Sequence, residues 1–320
     1  MKRAIAFLFL LLLLATPNLV QAQFTYTTNA DNTLTITGYN GSGGAVAIPT
    51  NIDGLEVTGI YGESFYLITN VISVTIPASI SLITDGAFQG CTSLTAISVD
   101  SQNAFYSTSN GILFDKGQST LISYPDGLVG DYIIPNTVTN IGDLAFAECK
   151  LSSITFPTSV INTGAWVFDG CGSLTNVTML GGLRDLRIGF FAGCSNLISV
   201  FFQGNAPDPD IIFMGDTNTT VYYLPNTAGW GEFSVTARIP TVLWNPIVQT
   251  NDGHFGVHSN QFGFNITSTN SIPIVIEACT NLANPVWTPL TNVSLTNGSF
   301  YFSDPQWTNY PGRFYGIGFP

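Results

Sequence analysis

Short runs of alternating apolar and polar residues recur along the chain at a regular spacing. The clearest are Val71-Ile72-Ser73-Val74-Thr75-Ile76-Pro77, Leu94-Thr95-Ala96-Ile97-Ser98-Val99, Leu151-Ser152-Ser153-Ile154-Thr155-Phe156-Pro157, Leu174-Thr175-Asn176-Val177-Thr178-Met179 and Leu197-Ile198-Ser199-Val200-Phe201-Phe202. Ile76 to Val99, Phe156 to Met179 and Met179 to Phe202 are each 23 residues apart, within the period of about 20–29 residues of a strand-and-turn solenoid. Alternation sends Val74 and Ile76, or Val177 and Met179, to one side of a rung and Thr75 or Thr178 to the other. One coil cannot bury its apolar side alone, so neighbouring coils stack and share it.

A second column lies between the rungs: Ile83-Thr84-Asp85-Gly86-Ala87-Phe88-Gln89-Gly90-Cys91, Ile141-Gly142-Asp143-Leu144-Ala145-Phe146-Ala147-Glu148-Cys149 and Trp166-Val167-Phe168-Asp169-Gly170-Cys171. Phe88, Phe146, Phe168 and Phe191 are expected to fill the wall opposite the rungs. Asp85 and Asp143 are placed as caps of a short turn or 3-10 helix on the convex side. Weaker rungs at Val46-Ala47-Ile48-Pro49, Tyr132-Ile133-Ile134-Pro135 and Val221-Tyr222-Tyr223-Leu224-Pro225 bring the expected count to about eight coils. The gap from Val99 to Ile134 exceeds one period, and Asn110-Gly111-Ile112-Leu113-Phe114-Asp115-Lys116-Gly117 within it reads as a β-hairpin insertion (about 100–131). Phe24 to Ile36, around Asn29-Ala30-Asp31-Asn32, reads as a hairpin cap (23–45) on a solenoid spanning 46–244.

After Trp244-Asn245-Pro246 the period is lost. Short alternating runs follow at Phe262-Phe264-Ile266, Ile272-Ile274-Ile276, Phe300-Phe302 and Phe314 to Phe319, which predict a small β-sandwich-like domain over 245–320. The fold class expected is therefore mainly β: a solenoid with a small C-terminal sandwich.

The repeat resembles the BspA-type leucine-rich repeat family, whose units follow an apolar strand, Ile-Pro, Ile, Gly-x-x-Ala-Phe and Gly-Cys order. The resemblance covers roughly residues 46–225 and departs from the pattern at Tyr61 to Tyr66, at Asn162-Thr163-Gly164 and after Phe202. It implies a leucine-rich-repeat β-solenoid and surface roles such as adhesion or binding of matrix, host or neighbouring-cell components. It carries no catalytic residues across. The stretches Glu277 to Trp287 and Tyr301 to Tyr315 are similar to a C-terminal module shared by many secreted bacterial proteins, which by analogy implies attachment, sorting or spacing.

Residues 1–22 change the cellular setting. Met1-Lys2-Arg3, the apolar run from Ala4 to Ala15 and Val20-Gln21-Ala22 read as a secretory signal peptide cleaved after Ala22, being shorter than the about 20 apolar residues a spanning helix needs. A secreted, extracellular or cell-surface chain is expected. Its removal leaves 6 basic against 20 acidic residues and a charge of −14, from −12 for the whole chain. Such a balance, with the basic residues scattered, argues against nucleic acid and polybasic membrane anchoring. Only 9% of residues are charged, so Asn, Thr, Ser and Gly must solvate the surface. Cys91, Cys149, Cys171 and Cys194 recur in one repeat position and Cys279 stands apart. They read as free, buried thiols, with a Cys171–Cys194 disulfide as the alternative.

Candidate chemistry is sparse. His254 and His258 are four apart, but Gly253, Gly256, Ser259 and Asn260 around them predict turn and strand, so they read as loop residues and no metal is assigned. Asp208 and Asp210 could hold Ca²⁺, yet the prolines around them suit a plain turn. Gly41-Ser42-Gly43-Gly44 lacks the Lys and helix of a phosphate loop. No catalytic, cofactor-binding or metal residue is assigned, and the chain is read as non-enzymatic. What remains is the outward stripe Ala47, Thr75, Ser98, Ile133, Thr155, Thr178, Phe201 and Tyr222, the candidate surface for an extracellular protein or glycan. Phe201 and Tyr222 are either a ligand contact or covered by the C-terminal domain or the 205–220 loop. The function expected is binding or adhesion. Alternatives are a structural or sorting/display component without a specific ligand and a secreted enzyme with an unrecognised site.

Overall fold

The computed structural model describes residues 23–320 except Gly182, Arg184, Asp210 and Thr217, and except the side chains of Asp185 and Pro209. The expected signal peptide, Arg184 and Asp210 thus lie outside the described residues. The rungs form parallel ladders in two blocks. Gly44–Ala47, Val71–Ile76 and Ala96–Val99 make the first. Val129–Ile133, Lys150–Phe156, Asn176–Met179, Ser199–Phe202, Thr220–Tyr223 and Thr241–Leu243 make the second. The register is in phase, so Val46, Val74 and Ile97, and likewise Ile154, Val177, Val200 and Val221, superpose as one buried row. The nine rungs of these two ladders are one more than expected. The additional rung, Thr241–Leu243, is reached through helix α1 (Trp230–Ala237) instead of the repeat's turn, which hid the period there.

Proline follows several rungs for a physical reason. It has no N–H to continue the ladder, and Pro77, Pro135 and Pro157 each accept the amide of Ile80, Val138 and Val160 to start the turn. A second, shorter ladder runs down the far side, pairing Ile60 with Ile83, Leu121 with Ile141, and Ile141 in turn with Thr163. Thr163 is the polar exception in this buried row, 5% exposed with its Oγ1 unpartnered.

The convex turns explain the glycines of the repeat. Four of them have two left-handed positions four residues apart: Gly86 and Gly90, Leu144 and Glu148, Trp166 and Gly170, Gly189 and Gly193, all with φ between 56° and 77°. Glycine holds this conformation without strain, whereas Leu144, Glu148 and Trp166 are held there by their surroundings at about 1 kcal/mol or more each. These segments are turns, not helices. Asp143 does not cap its own turn as expected; its Oδ1 accepts the amide of Ala165 in the next coil at 2.9 Å, because the short side chain reaches the neighbouring backbone more readily than its own. Beneath the turns the rings stack as a ladder. Tyr124, Phe146, Phe168, Phe191 and Phe213 succeed one another at centroid distances of 5.2, 5.1, 5.7 and 5.1 Å with interplanar angles of 12–29°. Tyr39, Phe65 and Phe88 repeat the arrangement in the first block.

Between the blocks lies a three-stranded antiparallel meander, Tyr106–Ser109, Ile112–Asp115 and Thr120–Ser123. Its tight turn needs positive φ at both Asn110 (51°) and Gly111 (80°). The middle strand divides the interior: Ile112 and Phe114 join the apolar cluster of the second block, and Leu113 joins that of the first. The N-terminal end is closed by Phe24–Thr28 paired with Leu34–Tyr39. At the other end Trp230 and Phe233 of helix α1 enter the core, Trp230 stacking on Tyr223 at 5.1 Å.

Beyond Trp244 two antiparallel sheets enclose a third apolar cluster. One holds Ile247–Gln249, Gly256–His258, Gln261–Thr267 and Ser299–Asp304; the other holds Pro273–Cys279, Thr288–Ser294 and Phe314–Gly318. Phe201 and Trp244 belong to that same cluster, so the sheets share a core with the last coils. Asp304 anchors the segment that carries the C-terminal resemblance: it pairs with Arg313 at 2.8 Å and accepts from the Tyr315 hydroxyl at 2.7 Å and the Gln306 amide at 2.8 Å.

Candidate functional site

The in-phase register turns the sequence stripe into a physical row. Ala47, Thr75 and Ser98 are neighbours across the first block, and Ile133, Thr155, Thr178, Phe201 and Tyr222 across the second. Coils stack about 4.8 Å apart, so the hydroxyls are close enough to pair, as Ser98 does with Thr75 at 3.0 Å. Thr75, Ser98 and Ile133 are exposed, and Thr155 and Thr178 half-buried.

The aromatic end of the row is not free. Phe201 is 0% exposed: Tyr222 stacks on one side with centroids 4.9 Å apart, and Phe319 packs on it at 4.6 Å. Tyr222 is half-buried in the same cluster. These two residues are therefore removed from the candidate binding surface, since an outward aromatic ring on the last coils is the apolar ground on which the C-terminal sheets sit.

Alternation within a rung offers two outward positions. The second row is Ser73 and Ala96, then Asp131, Ser153, Asn176, Ser199 and Thr220, of which Ser199 is buried. Asp131 accepts hydroxyl bonds from Ser152 and Ser153, both at 2.8 Å. The free part of the face is thus a hydroxyl and amide platform carrying one oriented carboxylate, with Val129 and Ile133, 73% and 72% exposed, at the seam between the blocks.

The cysteines face inward. All five are free and buried among the described residues. In the repeat column the Cys91, Cys171 and Cys194 thiols donate to the carbonyls of Phe65, Phe146 and Phe168, one coil back. Burial pushes the Cys91 thiol up to about 12, so it is a neutral cap of a backbone oxygen. Cys149 and Cys171 lie 3.4 Å apart, sulfur to sulfur.

Asp126 is a buried acid on the convex side, 3% exposed with Oδ2 unpartnered. Burial pushes its carboxyl up to about 7; Glu148 adds to this, and Lys150 and the Gly90 and Cys91 backbone oppose it. His254 and His258 are exposed, and His254 meets Asp252. Among the described residues no three His, Cys, Asp or Glu gather as metal ligands. Asp208 is exposed in a two-residue strand paired with Asp185–Leu186.

Parallel rungs in register, turns with paired left-handed positions and a shared apolar interior define a leucine-rich-repeat solenoid. Residues 58–129 and 125–211 match the family model described as BspA type Leucine rich repeat region, in 6 copies, and the repeats over these residues belong to that family. Solved structures with similar folds include a leucine-rich repeat protein from Eubacterium ventriosum (17% identity, 63% of this chain and 86% of that one, TM-score 0.38). Others are a leucine rich cell surface protein from Faecalibacterium prausnitzii (17%, 70% and 93%, 0.41) and the T. pallidum leucine rich repeat protein (26%, 68% and 89%, 0.36). No curated protein matches the sequence.

Proposed function

We propose that the chain is an exported or cell-surface binding protein that recognises an extracellular protein or glycan through the uncovered part of its strand-lined face and performs no catalysis. The observation that carries this reading is the in-phase row of Thr75, Ser98 and Ile133, exposed, and Thr155 and Thr178, half-buried, opposite the inward positions Val74, Ile97, Ile154 and Val177, which are core. Hydroxyls, the Asn176 amide and the Asp131 carboxylate at coil spacing supply hydrogen bonds without a strong charge, which suits a neutral polar ligand. Export is supported by the basic, apolar and small-residue order of residues 1–22; among the described residues no helix is long and apolar enough to cross a membrane.

Residues 23–320, screened against matrix proteins and glycans, should bind at least one saturably, and Thr155→Arg with Thr178→Arg should abolish that binding while the protein stays folded. A ligand whose binding ignores both substitutions would place recognition elsewhere. The core that the C-terminal sheets share with Phe201 and Trp244 favours a second reading, a rigid spacer or display element, which is the outcome if nothing binds.

A further inference from the structure

One convex turn is missing. Where the flanking coils have turns over 85–90 and 143–148, the meander coil runs as strand Thr120–Ser123 and then Tyr124-Pro125-Asp126. Leu144 reaches across this gap, so that a Cβ on Gly86 would lie 3.0 Å from its Cδ1. Beside it opens a cavity of about 530 Å³, lined by Tyr61, Glu63, Tyr66, Thr84, Asp85 and Gln89 among others, a size within the range of about 300–1,000 Å³ for ligand sites. Tyr61 and Tyr66 stand at the departure from the repeat pattern and are 53% and 48% exposed.

The chemistry of this cavity is one-sided. No lining residue is basic, and among the described residues neither Glu63 nor Asp85 accepts a side-chain hydrogen bond or pairs with a cation. Asp85 is partly desolvated and faces Asp143, which together raise its carboxyl above the ordinary range. The buried Thr84 hydroxyl also lacks a partner. Two carboxylates without counter-charge thus line the same cavity as two accessible phenol rings.

We propose that this cavity binds a guanidinium group, presented by an arginine of a basic peptide segment. A planar cation can stack on a tyrosine face while its fork of N–H donors engages a carboxylate, which a compact ammonium does less well. The chain's net charge of −12 draws cationic partners toward it. The site is on the convex side and independent of the strand-lined face, so either can fail without the other.

Titration of residues 23–320 with N-acetylarginine amide at low salt, followed by calorimetry, tests it. Saturable binding is expected, about tenfold weaker for the neutral citrulline analogue and at least about fivefold weaker in Asp85→Asn and in Tyr66→Ala. Asp85→Asn removes the repulsion from Asp143 and should melt no lower than the parent, so its loss of binding cannot come from unfolding. The proposal is overturned if the arginine compound does not saturate, if citrulline binds equally, if both substitutions leave affinity unchanged, or if a neutral oligosaccharide occupies the cavity in preference.

Discussion

The ring of Phe319 rests on that of Phe201 with centroids 4.6 Å apart, joining the strand Phe314–Gly318 region to a coil more than a hundred residues earlier. This contact makes the C-terminal sheets part of the solenoid's packing. Phe319→Ala should destabilise the protein by about 2–4 kcal/mol, and Phe201→Ala by about 3–5 kcal/mol. Denaturant unfolding measures both, and a Phe319→Ala loss under about 0.5 kcal/mol would mean that the sheets do not rest on the coils.

Asp126 binds its proton more tightly in the folded than in the unfolded chain. Its contribution to stability is therefore full below its ordinary value of 3.8 and lost as pH rises through about 7. Asp126→Asn should exceed the parent in stability by about 1–2 kcal/mol near pH 8 and match it near pH 4. Parallel pH-dependent melting curves for parent and variant would rule this out.

Thr163 sits in register with Ile141 in a buried row, and its hydroxyl has no partner. Thr163→Val keeps the shape and removes the orphan, with an expected gain of about 1 kcal/mol. A shift of the urea midpoint to higher concentration is the readout; a shift to lower concentration would show that the hydroxyl is satisfied in solution.

Asp304 and Arg313 are 7% and 10% exposed and pair at 2.8 Å. Asp304→Ala strands a buried guanidinium and should cost about 3 kcal/mol or more. Arg313→Met should cost less, because Asp304 keeps its bonds from Tyr315 and Gln306. Comparison of the two unfolding free energies decides it, equal losses being the contrary result.

Most of the solenoid was legible because the same inward positions recur every 23 residues from Ile76 to Val99 and from Phe156 to Phe202. The period itself requires stacked coils, and the paired glycines Gly86 and Gly90, and Gly189 and Gly193, follow from their left-handed backbone. Helix α1 escaped because only Trp230 and Phe233 mark its buried side, too few to separate it from a turn. The burial of Phe201 was legible only as one of two readings, cover by the C-terminal domain or a ligand contact, for another reason. An outward position looks alike on every coil, and the alternation of Phe314 to Phe319 predicts a strand without saying where it docks. The convex cavity lies between the 61–66 and 84–89 segments with Leu144 beside it, and Tyr61 to Tyr66 signalled it only as a departure from the repeat.

Leu113 points into one core while Ile112 and Phe114, its neighbours on the same strand, point into the other. The stacked coils on either side of this strand therefore pack as separate apolar clusters, and cooperativity along a stack of coils passes only between touching neighbours. Opening of the first three coils need not loosen the rest, so amides of Val74 and Ile97 should exchange together, at a lower free energy than those of Val177 and Val200. A chain tethered at one end would then shed structure in two steps under load, and the cluster fused to the C-terminal sheets would be the one that holds.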